Sequence, residues 1–192
     1  MLTQLRPAAF LLLAMILLTG FAYPLAMTGF AQVLAPGAAN GSLILRDGQA
    51  VGSELIAQPF TGTGYLHPRP SAVDFGTIPS GATNLGPTSA ALATTVTERR
   101  AEWQSLNGVA APVDAVTTSG SGLDPHVSPE NAAGQAARIA AARGVAVEAV
   151  LAIIAAQTEP RWLGLYGEAR VNVLRVNLAL DEGMPLPPAG TN

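Results

Sequence analysis

Ala8 to Met27 reads AAFLLLAMILLTGFAYPLAM, and this stretch decides the fold. It lies inside a longer run without charge, from Pro7 to Leu45, bounded by Arg6 and Arg46. About 20 residues at about 1.5 Å rise span about 30 Å, the hydrocarbon thickness of a bilayer. Nine of them are Leu, Ile or Phe, each contributing roughly −0.3 to −0.6 kcal/mol to insertion. Pro24 falls near the far end, where a kink costs little. The stretch predicts one transmembrane helix over residues 7–29. Arg6 and the free amine precede it, and the next positive charge is Arg46. The positive-inside rule then predicts a cytoplasmic N-terminus over 1–6 and an extracytoplasmic chain from about Phe30. The alternative is a cleavable signal peptide, with an apolar region over 8–18 and Gly29-Phe30-Ala31 as its cleavage site. Against it, the apolar run continues past a signal core, and Phe21 and Tyr23 sit where an interfacial aromatic belt would lie.

Behind this anchor, the composition predicts one small domain over 30–182 and a flexible, proline-rich tail over 183–192. The fold class expected is α+β: a transmembrane helix followed by a mixed α/β extracytoplasmic domain. The chain has no cysteine, so disulfides and cysteine-bound zinc are excluded. It has no lysine, and its net charge is −3, which argues against nucleic acid as a partner. Twenty glycines, 15 prolines and few aromatics describe a turn-rich domain with a modest core that leans on a partner.

Ser42–Leu45 and Ala50–Ile56 flank Asp47-Gly48, a strong signal for a β-hairpin. Proline and glycine recur through residues 57–87, which predicts no long regular element there. Thr88–Leu106 reads as a helix with Leu92, Val96, Trp103 and Leu106 on one stripe. Val113–Thr118 reads as a strand. Ser128-Pro129-Glu130 is a helix start and Arg143-Gly144 its end, with Ala133, Ala136, Ala137 and Ala140 as a small-residue face. Val147, Val150, Leu151 and Ile154 mark a second helix. Leu163–Tyr166 and Ala169–Val173 suit strands, and a last helix runs to Asp181.

Little in the sequence carries chemistry. His67 and His126 each sit beside proline in a loop, without the three ligands a metal site needs. The Ser119-Gly120-Ser121-Gly122 run resembles a phosphate loop, but no lysine follows it, and a turn feeding a capped helix is the plainer reading. Thirteen carboxylates form no evident acid/base pair. Arg69, between Pro68 and Pro70, has a restricted backbone that suits either a salt bridge within the domain or a partner contact.

Together these motifs resemble a known family. Arg6-Pro7, Tyr23-Pro24-Leu25, Asn40-Gly41-Ser42-Leu43, the Gly52–Phe60 and Gly64–Ala72 stretches, Asn84-Leu85-Gly86-Pro87, Ser119–Pro129 and Val171–Asp181 follow one another in the order of the KdpC family. That family is the C subunit of the Kdp-type potassium-transporting ATPase. The likeness covers about Leu5 to Asp181; it departs at Ala82-Thr83, where the family often has serine. The resemblance implies a non-catalytic accessory subunit in the bacterial inner membrane. Its partners would be a potassium-binding channel-like subunit and an ATP-hydrolysing subunit. It also implies a proposed role as a catalytic chaperone that raises ATP affinity, with Ser119, Ser121 and Gln135 as the residues involved. No cofactor is expected to be firmly bound. Candidate partner contacts are Gly20 and Tyr23 on the anchor and His67 and Arg69 in the domain. The positive-inside topology conflicts with direct ATP contact, because it puts Ser119–Gln135 on the side opposite ATP. A secreted or membrane-anchored extracytoplasmic binding domain is the alternative function.

Overall fold

The apolar stretch forms one helix, Leu5–Leu34, the single described helix long and apolar enough to cross a membrane. The computed structural model describes residues 2–187. α1 (Leu5–Met15) and α2 (Tyr23–Leu34) are its regular parts, and between them Ile16–Ala22 widens into a π-helix. Pro24 accounts for the widening. It lacks an N–H, and its ring crowds the carbonyl of Gly20 four residues back, so the turns before it loosen. The perturbation therefore falls in the middle of the apolar stretch instead of at its far end. Thr19 bonds its hydroxyl back to the Met15 carbonyl there, at 2.6 Å. No residue of this helix is buried against the rest of the chain.

α3 (Pro36–Ala39) leads into an antiparallel hairpin, β1 (Leu43–Arg46) and β2 (Gln49–Ser53). Asp47 and Gly48 both take positive φ, 53° and 77°, the type I′ turn whose twist matches the strands. From Glu54 to Ser89 there is no helix or strand, as the proline and glycine spacing predicts.

α4 (Ala90–Asn107) begins where the Ser89 hydroxyl accepts from the Leu92 N–H and ends at Gly108 in the left-handed region. Of its expected stripe only Trp103 is buried, and Leu106 is exposed. The stripe is not a continuous core face, because α4 meets the domain at Trp103, which lies against Gly134. Val113–Val116, expected as strand, is instead a single helical turn, α5. Pro112 precedes it, Asp114 sits in its first turn, and Thr117 bonds its hydroxyl back to the Val113 carbonyl. Four residues are too few for β-branching to outweigh those local signals.

The core is built from the C-terminal half. α6 (Pro129–Arg143), α7 (Val147–Ala156) and α8 (Val173–Gly183) pack on a small antiparallel sheet of β3 (His126–Val127), β5 (Arg170–Asn172) and β4 (Thr158–Glu159), with β5 central. Val127 and Thr158 both face Val171 across the sheet. Leu163–Tyr166, expected as strand, forms a tight turn closed by a bridge between Trp162 and Tyr166. Its Gly164 and Gly167 take positive φ, which breaks extended pairing. The buried face of α6 is Ala132, Ala136, Ile139 and Ala140, whereas Ala133 and Ala137 are exposed. Ile139, the one large apolar side chain of this helix, sets the rotation. At the end of the described chain, the Met184 carbonyl accepts from Arg143, and Leu186 lies against Gly64. Residues 188–192 of the expected flexible tail lie outside the described residues.

Candidate functional site

Residues 64–70, Gly-Tyr-Leu-His-Pro-Arg-Pro, leave a turn at Gly64 and pass between α6 and α8 as a strap without helix or strand. With no neighbouring strand, their peptide groups are paired by side-chain amides. Asn177 on α8 accepts from the Leu66 N–H at 2.7 Å and donates to the Leu66 carbonyl at 2.9 Å. Gln135 on α6 does the same for His67, at 2.8 and 3.1 Å. Each carboxamide thus mimics a strand neighbour, because it carries a donor and an acceptor in one plane. Both are fully buried, so each pair satisfies backbone groups that would otherwise be orphaned.

Two arginines of α6 complete the clamp. Arg143, with a fully buried side chain, donates to the Gly64, Leu180 and Met184 carbonyls and pairs with Asp181 at 2.9 Å. Its guanidinium also lies over the Tyr65 ring, 5.1 Å from the centroid. Arg138 donates to Asn107, to the Thr63 and Tyr65 carbonyls, and to Gln135 at 2.6 Å. Burial lowers its pKa to about 10, which leaves it charged at neutral pH.

Arg69 takes the internal salt bridge: it pairs with Asp124 at 3.1 Å and donates to the Thr117 and Thr118 carbonyls. Asp124 also accepts from the His126 N–H at 3.0 Å and lies 3.6 Å from the His126 ring. Desolvation pushes the Asp124 carboxyl up, but the His126 hydrogen bonds and then Arg69 outweigh it, so its pKa lies below the ordinary value. His67 meets the Gly62 carbonyl at 3.0 Å through Nε2. Burial, and next Arg138, hold its pKa below the ordinary histidine value.

Two clefts meet at Arg69 of the strap. One, of about 340 Å³, is lined by Phe60, His67, Arg69, Phe75 and Trp103. The other, of about 490 Å³, is lined by Arg69, Asp114, Asp124, His126 and Arg170. Neither is lined by Ser119, Ser121 or Gln135, so the three ATP candidates do not converge on either cleft. Ser119 is buried, and its N–H donates to the Pro70 carbonyl; exposed Ser121 accepts from the Leu123 N–H. Gly122 explains the glycine loop. It takes φ 72°, and a Cβ there would lie 2.6 Å from Val73 and 2.8 Å from the Gly81 carbonyl. At the start of α6, Asp114 already accepts from the Ser128 N–H and hydroxyl, so a carboxylate sits where a phosphate would be drawn. Among the described residues no three His, Asp or Glu side chains gather as metal ligands.

The sequence pattern of one family, K+-transporting ATPase, c chain, matches residues 5–182, from the first residue of the anchor helix through the strap into the last turn of α8. The chain belongs to the KdpC family. It is 65% identical over 181 residues to the potassium-transporting ATPase KdpC subunit of Cereibacter sphaeroides, covering 94% of this chain and 98% of that protein. It is 54% identical to the KdpC subunit of Rhodospirillum rubrum (97% and 99% covered) and 52% identical to that of Polaromonas naphthalenivorans (97% and 98%). In this KdpC-family chain, His67 and Arg69 lie on the strap, and Gln135 holds it from α6. Gly20 and Tyr23 lie on the exposed anchor helix, and nothing in the chain stands within 4 Å of a Cβ added at Gly20.

Sequence reasoning missed Asn177, Arg138, Arg143 and Asp114. A usable signal existed for two of them. Arg143 continues the stripe Ala132, Ala136, Ile139, Ala140, and Asn177 sits between Val176 and Leu180 on the buried face of α8. A polar residue on an apolar stripe implies a buried partner.

Proposed function

We propose that this chain is the non-catalytic accessory subunit of an ATP-driven potassium-uptake complex. It is held by its N-terminal helix with residues 1–6 in the cytoplasm, and its domain rests on the outer side against the potassium-binding, channel-like subunit. The near-full-length match to KdpC subunits carries this reading. The chemistry of the domain agrees with it, because Gln135, Arg138 and Arg143 are engaged in holding one strap and Arg69 is paired with Asp124. His67 and Arg69 reach the surface along the aromatic cleft and form the partner-facing side of the domain; Gly20 and Tyr23 form that of the anchor.

Any rise in the ATP affinity of the hydrolysing subunit is indirect in this reading. Ser119, Ser121 and Gln135 lie across the membrane from ATP, and the first two shape the loop around Gly122. The chain acts by fixing how the large subunits pack, through its helix and its domain at once.

Co-purification in mild detergent tests the proposal. The tagged chain is expected to bring down both large subunits, and Gly20→Leu is expected to weaken recovery severalfold while leaving membrane insertion unchanged, because a close helix approach is blocked. A complex that assembles and pumps normally without this chain would overturn the proposal.

A further inference from the structure

The turn joining β4 to β5 presents an apolar tip. Trp162, Leu163, Leu165 and Tyr166 are 68, 71, 77 and 66% exposed, four large apolar side chains turned to solvent within five residues. The tip is ordered by its own bonds: the Trp162 and Tyr166 peptides bond each other at 2.9 and 3.0 Å, and their rings pack at 5.9 Å. Residues 162–167 carry no charged side chain, and the flanking Arg161 and Glu168 pair with each other at the neck. Leu163 sits at φ 52°, a conformation unfavourable for leucine, so the backbone holds that side chain outward at a cost.

The base of this turn is tied to the exit of the anchor. Glu159 bonds Arg170 and Arg175; Arg175 bonds Glu54 at 2.6 Å; and the Glu54 N–H donates to the Ser42 carbonyl. Ser53 closes the link by donating to the Gly41 carbonyl at 2.7 Å. Met27 ends the densest apolar stretch, and Thr28–Leu34 continues the helix about 10 Å past it. The bonds through Arg175 and Glu54 hold the base of the turn beside the hairpin that follows the helix, and a tip of Trp, Tyr and Leu suits the boundary between headgroups and acyl chains, the depth that Trp and Tyr favour.

We propose that the Trp162–Tyr166 turn is a second membrane contact, which dips into the outer-leaflet interface and fixes the tilt of the domain on its anchor. The proposal rests on the reading that the helix spans the membrane with the domain outside. The full chain is reconstituted in phosphatidylethanolamine–phosphatidylglycerol vesicles, with and without bromine in the acyl chains. Trp103 and Trp162 are the two tryptophans. Trp103→Phe isolates Trp162 and loses no hydrogen bond, because the Trp103 indole N–H has no partner among the described residues. Trp162→Phe isolates the buried Trp103 as the control. Trp162 emission is expected to be roughly halved in brominated lipid, with Trp103 unchanged. Trp162 emission that is unaffected by bromine and quenched by aqueous iodide overturns the proposal. Shielding from both quenchers also overturns it, in favour of a protein contact, and equal quenching of both tryptophans overturns it as a property of the turn. The sidedness reading is measured separately, by labelling Ser121→Cys with a membrane-impermeant maleimide in right-side-out membranes. Outside labelling with an unquenched Trp162 fails the turn alone; absence of outside labelling fails the topology, and with it the assignment to the outer leaflet.

Discussion

Asn177 shows what a single side chain does in this domain. It pairs both polar groups of Leu66 from a fully buried position, so Asn177→Ala orphans a donor and an acceptor together. Each orphaned buried group costs roughly 1–3 kcal/mol, so the variant is expected to lose about 2–6 kcal/mol, as read from urea unfolding of the full chain in detergent. A loss near zero would mean that the amide does not support the strap. This residue's role was only half legible in the sequence. Spacing places it on the apolar face of α8, but its partner lies 111 positions away along the chain. Local periodicity carries no information about such pairs. Arg69 was more legible, because its neighbouring prolines restrict its backbone, and of the two roles that this suits the structure shows the salt bridge within the domain.

At the scale of elements, the strap links stability to pH through His67. Its folded-state pKa is below 6.5. As pH falls, the unfolded chain therefore binds the proton first. The contribution of the neutral imidazole is complete above about pH 6.5 and is lost as pH drops through the folded value. The melting temperature is expected to fall between about pH 7 and 5.5, and to fall less in His67→Gln, which lacks this titration. Equal slopes would contradict that role. Elements with local punctuation were readable: Asp47-Gly48 for the hairpin, Ser128-Pro129 and Gly144 for α6, and the apolar run for the anchor. The short elements were not. α5 has four residues, and the turn after β4 is governed by positive-φ positions that hydrophobicity does not encode.

The whole molecule is a single apolar helix joined by a short connection to a domain whose polar groups are mostly engaged with one another. Its length, family and α+β organisation were evident from sequence, because the motifs of the KdpC family recur in order from one end to the other. The clamp of α6 and α8 on residues 64–70 was not, because it arises from packing. The side of the membrane on which the domain lies is the central claim, since it separates Ser119–Gln135 from ATP. The chain has no cysteine, so Ser121→Cys gives one label site on an exposed residue. A membrane-impermeant maleimide is predicted to label it in intact right-side-out membranes; labelling only after the membrane is broken would contradict the account.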